Sequence, residues 1–239
     1  MGQKAGIIER DAFLQGFDGA QVPVFVAEPQ GAPGAGRLAI VPEIFGITPW
    51  VRETARRLAR EGFRAVAVEQ FSRDPLPDDP GWPALLARMR RLSLPGLLTD
   101  LRAALELLGG TGKQGVIGFC MGGTVAILMA GDGKPLDAAV SCYGRPRLAF
   151  EIGPLRPEEP LDAARGIRCP VLGVYGDQDA SIPSEDVNAL RAVLPRGSEI
   201  ATYPAGHAFL NDTRPDFYSA DQAPLAWAKI TGFLRRTLD

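Results

Sequence analysis

The chain has 239 residues, 46% of them hydrophobic and 23% charged, and its formal net charge is −2 at pH 7. These values are ordinary for a folded protein and indicate neither a nucleic acid nor a membrane surface as a partner. No segment approaches the roughly 18 apolar residues of a membrane-spanning helix, and the first residues lack the apolar core of a signal peptide. We therefore expect one domain over residues 1–239, located in the cytoplasm.

Residues with strongly reactive side chains are few. Cys120, Cys142 and Cys169 are an odd number of cysteines without a Cys-x-x-Cys spacing, which argues against a disulfide framework and a zinc knuckle. His207 is the only histidine, which argues against a His-rich catalytic zinc site. The sequence therefore predicts neither a metal nor another cofactor.

Short β-branched runs alternate with helical patterns along the chain, which is typical of a mainly parallel sheet with helices on both faces. The predicted strands, of which the first two are antiparallel, are 6–13, 22–26, 38–42, 64–69, 115–119, 137–142, 170–175 and 199–203. The predicted helices are 49–61, 97–108, a segment from 122 onward, 187–194 and 227–238. We interpret residues 72–83, rich in Pro and Asp, as a loop and the proline-rich residues 153–166 as a surface insertion.

A segment between a predicted strand and a predicted helix has the pattern of a nucleophile elbow. Gly118-Phe119-Cys120-Met121-Gly122-Gly123 matches Gly-x-Ser-x-Gly with cysteine in place of serine. Such a turn is strained, so the positions two residues before and after the nucleophile must lack a Cβ. The sulfur would lie at the carboxyl edge of the sheet and at a helix N-terminus, whose dipole favours a thiolate. The alternative interpretation is a buried cysteine in a tight turn.

The residues downstream favour the catalytic interpretation. In α/β-hydrolases the acid and then the histidine follow the nucleophile along the chain, each after a strand. Asp177 and Asp179 follow the strand 170–175, and His207 follows the strand 199–203. A thiol is only slightly ionised at neutral pH, so an imidazole must take its proton, and a carboxylate must orient that imidazole. The residues alone favour neither Asp177 nor Asp179.

With these motifs the chain resembles the dienelactone hydrolase family, a branch of the α/β-hydrolases, over nearly its whole length. The resemblance covers about residues 6–238 and rests on Pro42-Glu43-Ile44-Phe45-Gly46 with Arg52-Glu53, on the cysteine elbow, on Gly176-Asp177-Gln178-Asp179 and on Gly206-His207-Ala208-Phe209. It implies the α/β-hydrolase fold, a mainly parallel central sheet covered by helices on both faces.

The resemblance also implies roles for individual residues. Cys120 is the nucleophile, Asp179 the acid and His207 the base of a catalytic triad. The backbone N–H groups of Ile44 and Met121 form the oxyanion hole, one from each loop. The choice between the two aspartates therefore comes from the family and not from the physical chemistry of the loop.

Further family positions concern activation of the thiol and binding of substrate. Glu43 is implied to meet the thiol and to accept its proton when substrate binds. Arg73 matches an arginine that binds the substrate carboxylate. A second family arginine is replaced here by Asn211, with Arg214 three residues later. Tyr143, which follows a central strand, is a candidate for the pocket wall, although packing in the core is an equally good interpretation.

The sequence therefore predicts a carboxylic-ester hydrolase that cleaves an activated ester or enol-lactone through a Cys120 thioester. An enol-lactone of the dienelactone type would give maleylacetate, in the degradation of chloro-aromatic compounds. The alternatives are a broad-specificity carboxylesterase, a non-catalytic binding module and a thiol redox protein. An intact triad argues against a binding module, and a redox protein would need a resolving thiol near Cys120, which nothing in the sequence indicates. We expect a small ester or lactone substrate, anionic or neutral, and a monomer or small homo-oligomer.

Overall fold

Eight strands form one sheet in the computed structural model, which describes residues 6–31, 36–77, 80–148 and 159–239. The strands are β1 (Ile7–Gln15), β2 (Gln21–Pro29), β3 (Arg37–Val41), β4 (Arg64–Val68), β5 (Gln114–Phe119), β6 (Ala138–Cys142), β7 (Val171–Gly176) and β8 (Glu199–Tyr203). Their order across the sheet is β1-β2-β4-β3-β5-β6-β7-β8. The pairs β1–β2 and β2–β4 are antiparallel, and all other pairs are parallel. The predicted mainly parallel sheet is confirmed.

Helices cover this sheet and bury its central strands. They are α1 (Pro49–Arg60), α2 (Gly81–Arg91), α3 (Leu94–Leu107), α4 (Met121–Gly131), α5 (Pro160–Ala164), α6 (Ser184–Val193) and α7 (Gln222–Leu238). Helix α1 contacts β2 and β4, α3 contacts β3 and β4, α4 contacts β5 and β6, and α7 contacts β6, β7 and β8. Every residue of β6 and β7 is buried, as expected for parallel strands that are covered on both faces.

Two of the predicted irregular segments contain helices. Helix α2 begins at Gly81, inside the predicted loop 72–83. Pro83 lies in the first turn of this helix, where a proline is tolerated. Within the predicted insertion 153–166, Pro160 likewise starts α5, whose Leu161, Ala163 and Ala164 are buried. Both expectations were therefore wrong in these parts. Residues 78–79 of the first segment and 153–158 of the second lie outside the described residues.

The parallel strands bring their carboxyl ends to one edge of the sheet. Chain segments that follow β3, β5, β6, β7 and β8 therefore meet there, and they carry the candidate residues of the sequence analysis. Within the described ranges, no helix has both the length and the apolar character needed to cross a membrane.

Candidate active site

The nucleophile elbow joins β5 to α4, and its backbone is strained. Cys120 has φ 54° and ψ −117°, in the region of positive φ that residues with a side chain rarely adopt. A Cβ on Gly118 would collide with the carbonyl of Gly122, and one on Gly122 would collide with the carbonyl of Val41. Glycine at both positions therefore allows the helix to start directly against the ends of β3 and β5.

Cys120, His207 and Asp179 form a chain of three neighbouring side chains at the edge of the sheet. His207 Nδ1 lies 2.6 Å from Asp179 Oδ2, and Cys120 lies close enough to the same imidazole to raise its pKa. The other carboxylate oxygen of Asp179 accepts hydrogen bonds from Ser181 N at 2.9 Å and Ser181 Oγ at 2.6 Å. Asp177, in contrast, is exposed, and its backbone N–H donates to the carbonyl of Tyr203 in β8. The structure thus brings Asp179, not Asp177, to the histidine.

The electrostatics of this chain favour a proton on the imidazole. Burial disfavours the charged imidazolium, but hydrogen bonds with Asp179 and Cys120 outweigh burial and raise the pKa of His207 to about 10. Burial also acts to raise the pKa of Asp179, but the bonds from His207 and Ser181 dominate and lower it. Near neutral pH, the arrangement is therefore suited to an imidazolium beside the Asp179 carboxylate.

Glu43 is a buried carboxyl group beside this chain. Its side chain accepts a hydrogen bond of 2.9 Å from Asn211 Nδ2, and no hydrogen bond joins it to Cys120. The Asn211 oxygen accepts from Thr213 N at 3.1 Å and Thr213 Oγ1 at 2.6 Å, so the orientation of the amide is fixed. Burial raises the pKa of Glu43, opposed by the Asn211 bond and by the charges of Arg214 and His207. Asn211, where the sequence departs from the family, is therefore the partner of Glu43.

Cys120 and His207 open into a cavity of about 240 Å³. The walls are mainly apolar and are formed by Ile44, Trp82, Leu86, Met89, Met121 and Leu148, with Thr124, Arg145 and Ser181 as polar members. Helix α2 supplies three of the apolar residues, which sequence reasoning missed because it placed Trp82 in the loop 72–83 and assigned no element to Leu86 and Met89. The spacing of Trp82, Leu85, Leu86 and Met89 was the available signal for a helix.

The two predicted oxyanion donors come from different segments that meet at Cys120. Ile44 follows β3, Met121 is the first residue of α4, and both line the cavity with Cys120. Neither backbone N–H donates a hydrogen bond to another described residue. Both donors are therefore available to an oxygen that develops negative charge in the cavity.

The structure does not bring Arg73 to this cavity. Its guanidinium forms ion pairs with Asp18 at 2.8 Å and with the buried Asp100 at 2.7 Å, and it lies 4.4 Å from the Phe17 ring centre. Arg73 and Phe17 line a separate cavity of about 100 Å³, which shares no lining residue with the cavity at Cys120. Arg73 therefore does not line the cavity at Cys120, and its predicted contact with a substrate carboxylate stays a prediction.

Tyr143 packs behind the site and does not line the cavity. The residue is fully buried, with φ 40°, and its ring lies edge-on to the His207 imidazole at 5.2 Å between centres. Burial and the negative charge of Glu43 raise the pKa of its hydroxyl well above the ordinary value. The core-packing interpretation fits the structure, and the pocket-wall interpretation does not.

The other two cysteines are poorly suited to nucleophilic or redox chemistry. Burial raises the pKa of Cys142 well above its ordinary range and that of Cys169 to about 11. Contrary to the sequence-based expectation, Cys142 does lie next to Cys120, since its carbonyl accepts from Cys120 N at 3.0 Å. All three thiols are nevertheless free. Among the described residues, no group of three His, Cys, Asp or Glu side chains could hold a metal ion.

The class of protein follows from the sheet and the site together. A nucleophile elbow after a central strand, with acid and histidine after the next strands, defines an α/β-hydrolase. Residues 22–238 match the model of the dienelactone hydrolase family, and the chain belongs to this family. It is a hydrolase of the carboxylic-ester class.

Known proteins of similar sequence and structure agree with this assignment. The chain is 37% identical over 223 residues to a Salmonella typhimurium protein named "Putative carboxymethylenebutenolidase", covering 89% of this chain and 82% of that protein. It is 35% identical over 208 residues to the carboxymethylenebutenolidase of Rhodococcus opacus, covering 84% and 81% of the two chains. A crystal structure called "Putative Dienelactone Hydrolase" from Klebsiella pneumoniae superposes with a TM-score of 0.86 at 32% identity, covering 96% of this chain and 99% of that one.

Replacing Arg73 will test its structural role. Arg73→Gln leaves the buried Asp100 carboxylate without its charged partner, and we expect a loss of about 1–3 kcal/mol in the free energy of unfolding. The ratio of kcat/KM for an anionic ester to that for a neutral ester should stay the same. Urea unfolding and assays with para-nitrophenyl hemisuccinate and para-nitrophenyl butyrate measure the two effects. A selective loss with the hemisuccinate would restore Arg73 as a substrate ligand.

Proposed function

We propose that this hydrolase cleaves small activated esters or enol-lactones through a thioester on Cys120. The observation that carries the proposal is the Cys120–His207–Asp179 chain, which opens into a mainly apolar cavity between two oxyanion donors. The name of the Rhodococcus opacus relative, a carboxymethylenebutenolidase, supports an enol-lactone as one member of the substrate class. For that substrate the product would be maleylacetate, in the breakdown of chloro-aromatic compounds.

The first half of the reaction begins when Glu43 accepts the proton of the Cys120 thiol and leaves a thiolate beside the His207 imidazolium. The Cys120 thiolate attacks the ester carbonyl, and the N–H groups of Ile44 and Met121 stabilise the oxyanion of the tetrahedral intermediate. His207 then donates its proton to the departing alkoxide or enolate oxygen, and a thioester remains on Cys120. In a lactone the leaving oxygen stays attached to the acyl chain.

The second half uses His207 in the opposite sense. Formation of the thioester removes the negative sulfur, so the two contributions of Cys120 that raise the pKa of His207 are lost. The imidazole can then be neutral and can accept a proton from the water that attacks the thioester. When the intermediate collapses, that proton stays on His207, the carboxylic acid product leaves, and the thiolate is restored.

Glu43 is assigned the activation of the thiol. A buried carboxyl group whose pKa is raised is a better proton acceptor than an exposed one. Its hydrogen-bond partner Asn211 is neutral, so Glu43 is held without an ion pair and is displaced at lower cost when substrate enters. This supports its predicted role as a proton acceptor for Cys120.

The cavity supports a small substrate with one anionic group. Its volume of about 240 Å³ is below the roughly 300–1,000 Å³ of pockets for drug-sized ligands. Arg145 is the only Lys or Arg among the described residues that line it, and Thr124 Oγ1 holds its backbone N–H at 2.8 Å. We therefore assign to Arg145 the contact with a substrate carboxylate. The apolar walls also fit the second candidate function, a broad-specificity carboxylesterase for small neutral esters.

The cellular location is part of the same proposal. All three cysteines are free, and the mechanism needs the Cys120 thiol in its reduced form. Reduced thiols persist in the cytoplasm, so we assign the reaction to that compartment.

Removal of the nucleophile is the direct test of the mechanism. Cys120→Ala should reduce turnover of para-nitrophenyl butyrate at least about a thousandfold, because no other described group takes the place of the sulfur. Far-UV circular dichroism and the urea midpoint should remain those of a folded protein. Cys169→Ala is the matched control and should keep normal turnover. Undiminished turnover in Cys120→Ala would refute the thioester mechanism.

The dependence of activity on pH should reflect the proton on His207. Because the pKa of His207 is raised to about 10, kcat/KM should fall only as the pH passes that value and the proton for the leaving group is lost. Asp179→Asn removes a charge that stabilises the imidazolium, so this alkaline fall should move to lower pH. The same sign applies to stability: the imidazolium stabilises the fold fully below the ordinary value of 6.5, and this contribution is lost as the pH rises toward about 10. An alkaline fall that does not move in Asp179→Asn would contradict this electrostatic account.

A substitution of Arg145 tests the substrate class. Arg145→Gln should lower kcat/KM for para-nitrophenyl hemisuccinate about 10-fold more than for the butyrate, the size expected for one charge-assisted hydrogen bond. Arg147→Gln is the control, since Arg147 is exposed and pairs with Asp186 at 3.0 Å outside this cavity. Equal losses for the two esters in Arg145→Gln would remove the carboxylate contact and favour the broad carboxylesterase.

A further inference from the structure

The two peptide groups on either side of Ile44 are both held by buried side chains. Gln70 Nε2 donates to the carbonyl of Glu43 at 2.8 Å and, more weakly, to that of Pro42 at 3.3 Å. Arg88 donates from a terminal guanidinium nitrogen to the carbonyl of Ile44 at 2.9 Å. Gln70 and Arg88 are only 3% and 8% exposed, so water competes little for these bonds.

The bond from Gln70 fixes the direction of an oxyanion donor. The peptide between Glu43 and Ile44 is planar and trans, so its C=O and its N–H point in opposite directions. Gln70 therefore holds the carbonyl on the side away from the cavity, and the Ile44 N–H is turned toward the cavity that Ile44 and Cys120 share. A donor held in this way needs no reorganisation when the oxyanion forms.

The bond from Arg88 links the same segment to the wall of the cavity. Arg88 belongs to α2, the helix that contributes Trp82, Leu86 and Met89 to the lining. Its guanidinium also lies 4.0 Å from the centre of the Phe71 ring, which fixes the side chain from the other side. Arg88 thereby ties the Ile44 carbonyl to the helix against which the substrate would pack.

We propose that Gln70 and Arg88 are positioning residues that aim the Ile44 N–H at the oxyanion. They contact neither substrate nor reacting atoms. Gln70 acts through the carbonyl of Glu43, and Arg88 acts through the carbonyl of Ile44. The proposal rests on the proposed function, since it presupposes an oxyanion at Cys120.

Hydrogen bonds other than those from Gln70 and Arg88 also stabilise the loop around Ile44. A variant of either residue can therefore lose the positioning of the Ile44 N–H and still fold. Glu69 accepts a hydrogen bond from Ile47 N at 2.7 Å, and Gly46 N donates to the Glu43 carbonyl at 3.2 Å. These contacts remain when Gln70 or Arg88 is replaced. We therefore expect variants that fold with a loosened oxyanion donor, and a smaller effect than the roughly 100- to 1,000-fold loss of a deleted donor.

The test compares two reactions of the same sulfur. Ester hydrolysis needs both the thiolate and the oxyanion hole, whereas alkylation of Cys120 by iodoacetamide needs the thiolate but forms no oxyanion. In Gln70→Leu and in Arg88→Met, kcat for para-nitrophenyl butyrate should fall about 10-fold with KM little changed. The alkylation rate of Cys120, followed by mass spectrometry of its peptide, should remain that of the unmodified protein.

Two further variants make the result specific. Arg88→Lys keeps a donor for the Ile44 carbonyl and should recover much of the lost kcat. Arg91→Met lies on the same helix, where Arg91 pairs with Asp74 at the surface, and should change neither reaction.

Several results would overturn the proposal. They are parallel losses of hydrolysis and alkylation in Arg88→Met and Gln70→Leu, an unchanged kcat in both, or an Arg88→Lys variant no better than Arg88→Met. If one variant does not fold, the same comparison in the other decides. Full turnover in Cys120→Ala would instead refute the thioester mechanism itself, so the two failures are distinguishable.

Discussion

The close approach of three backbone segments around Cys120 is the constraint on which the site depends. The positive φ of Cys120 lets the chain leave β5 and enter α4 without an intervening loop, and this is possible only where Gly118 and Gly122 carry no Cβ. Gly123 extends the same contact toward the end of β6, where a Cβ would collide with Cys142 O. The position of the sulfur is thereby fixed by backbone packing, and the strain is balanced by the buried sheet on both sides.

The ionisable groups near this fixed sulfur differ in their hydrogen-bond partners. Asp179, held by Ser181, stabilises a proton on His207, and in the proposed mechanism the negative sulfur reinforces that effect until it is acylated. The side chain of Glu43, in contrast, has only the neutral amide of Asn211 as its hydrogen-bond partner. One imidazole can therefore serve as acid in the first half of the reaction and as base in the second, because its pKa depends on the state of the sulfur.

Much of this arrangement follows from local sequence, and the remainder depends on contacts between distant segments. The elbow, the acid loop and the histidine turn each lie at the end of a strand that could be predicted, so the meeting of Cys120, Asp179 and His207 followed from the parallel topology. The partners of Arg73, by contrast, are set by Asp18 and Asp100, which lie 55 and 27 positions away in the chain. No local pattern indicates such pairs.

The helix α2 was missed for a different reason. Pro83 and the acidic residues before it gave the segment the composition of a loop, although a proline in the first helical turn is compatible with a helix. The omission also concealed Trp82, Leu86 and Met89 of the cavity wall and the proposed role of Arg88. Sequence reasoning therefore located the candidate reacting groups more readily than the wall of the cavity into which they open.

That surface has an implication for how the family diversifies. The α2 residues Leu85 and Met89 pack with Ile44, Phe71 and Met121 in a small cluster that is separate from the main core. Substitutions in this cluster alter the cavity wall while the packing beneath the sheet stays intact. Because Ile44, Met89 and Met121 of this cluster also line the cavity, their side chains can change its shape without replacing a residue of the main core.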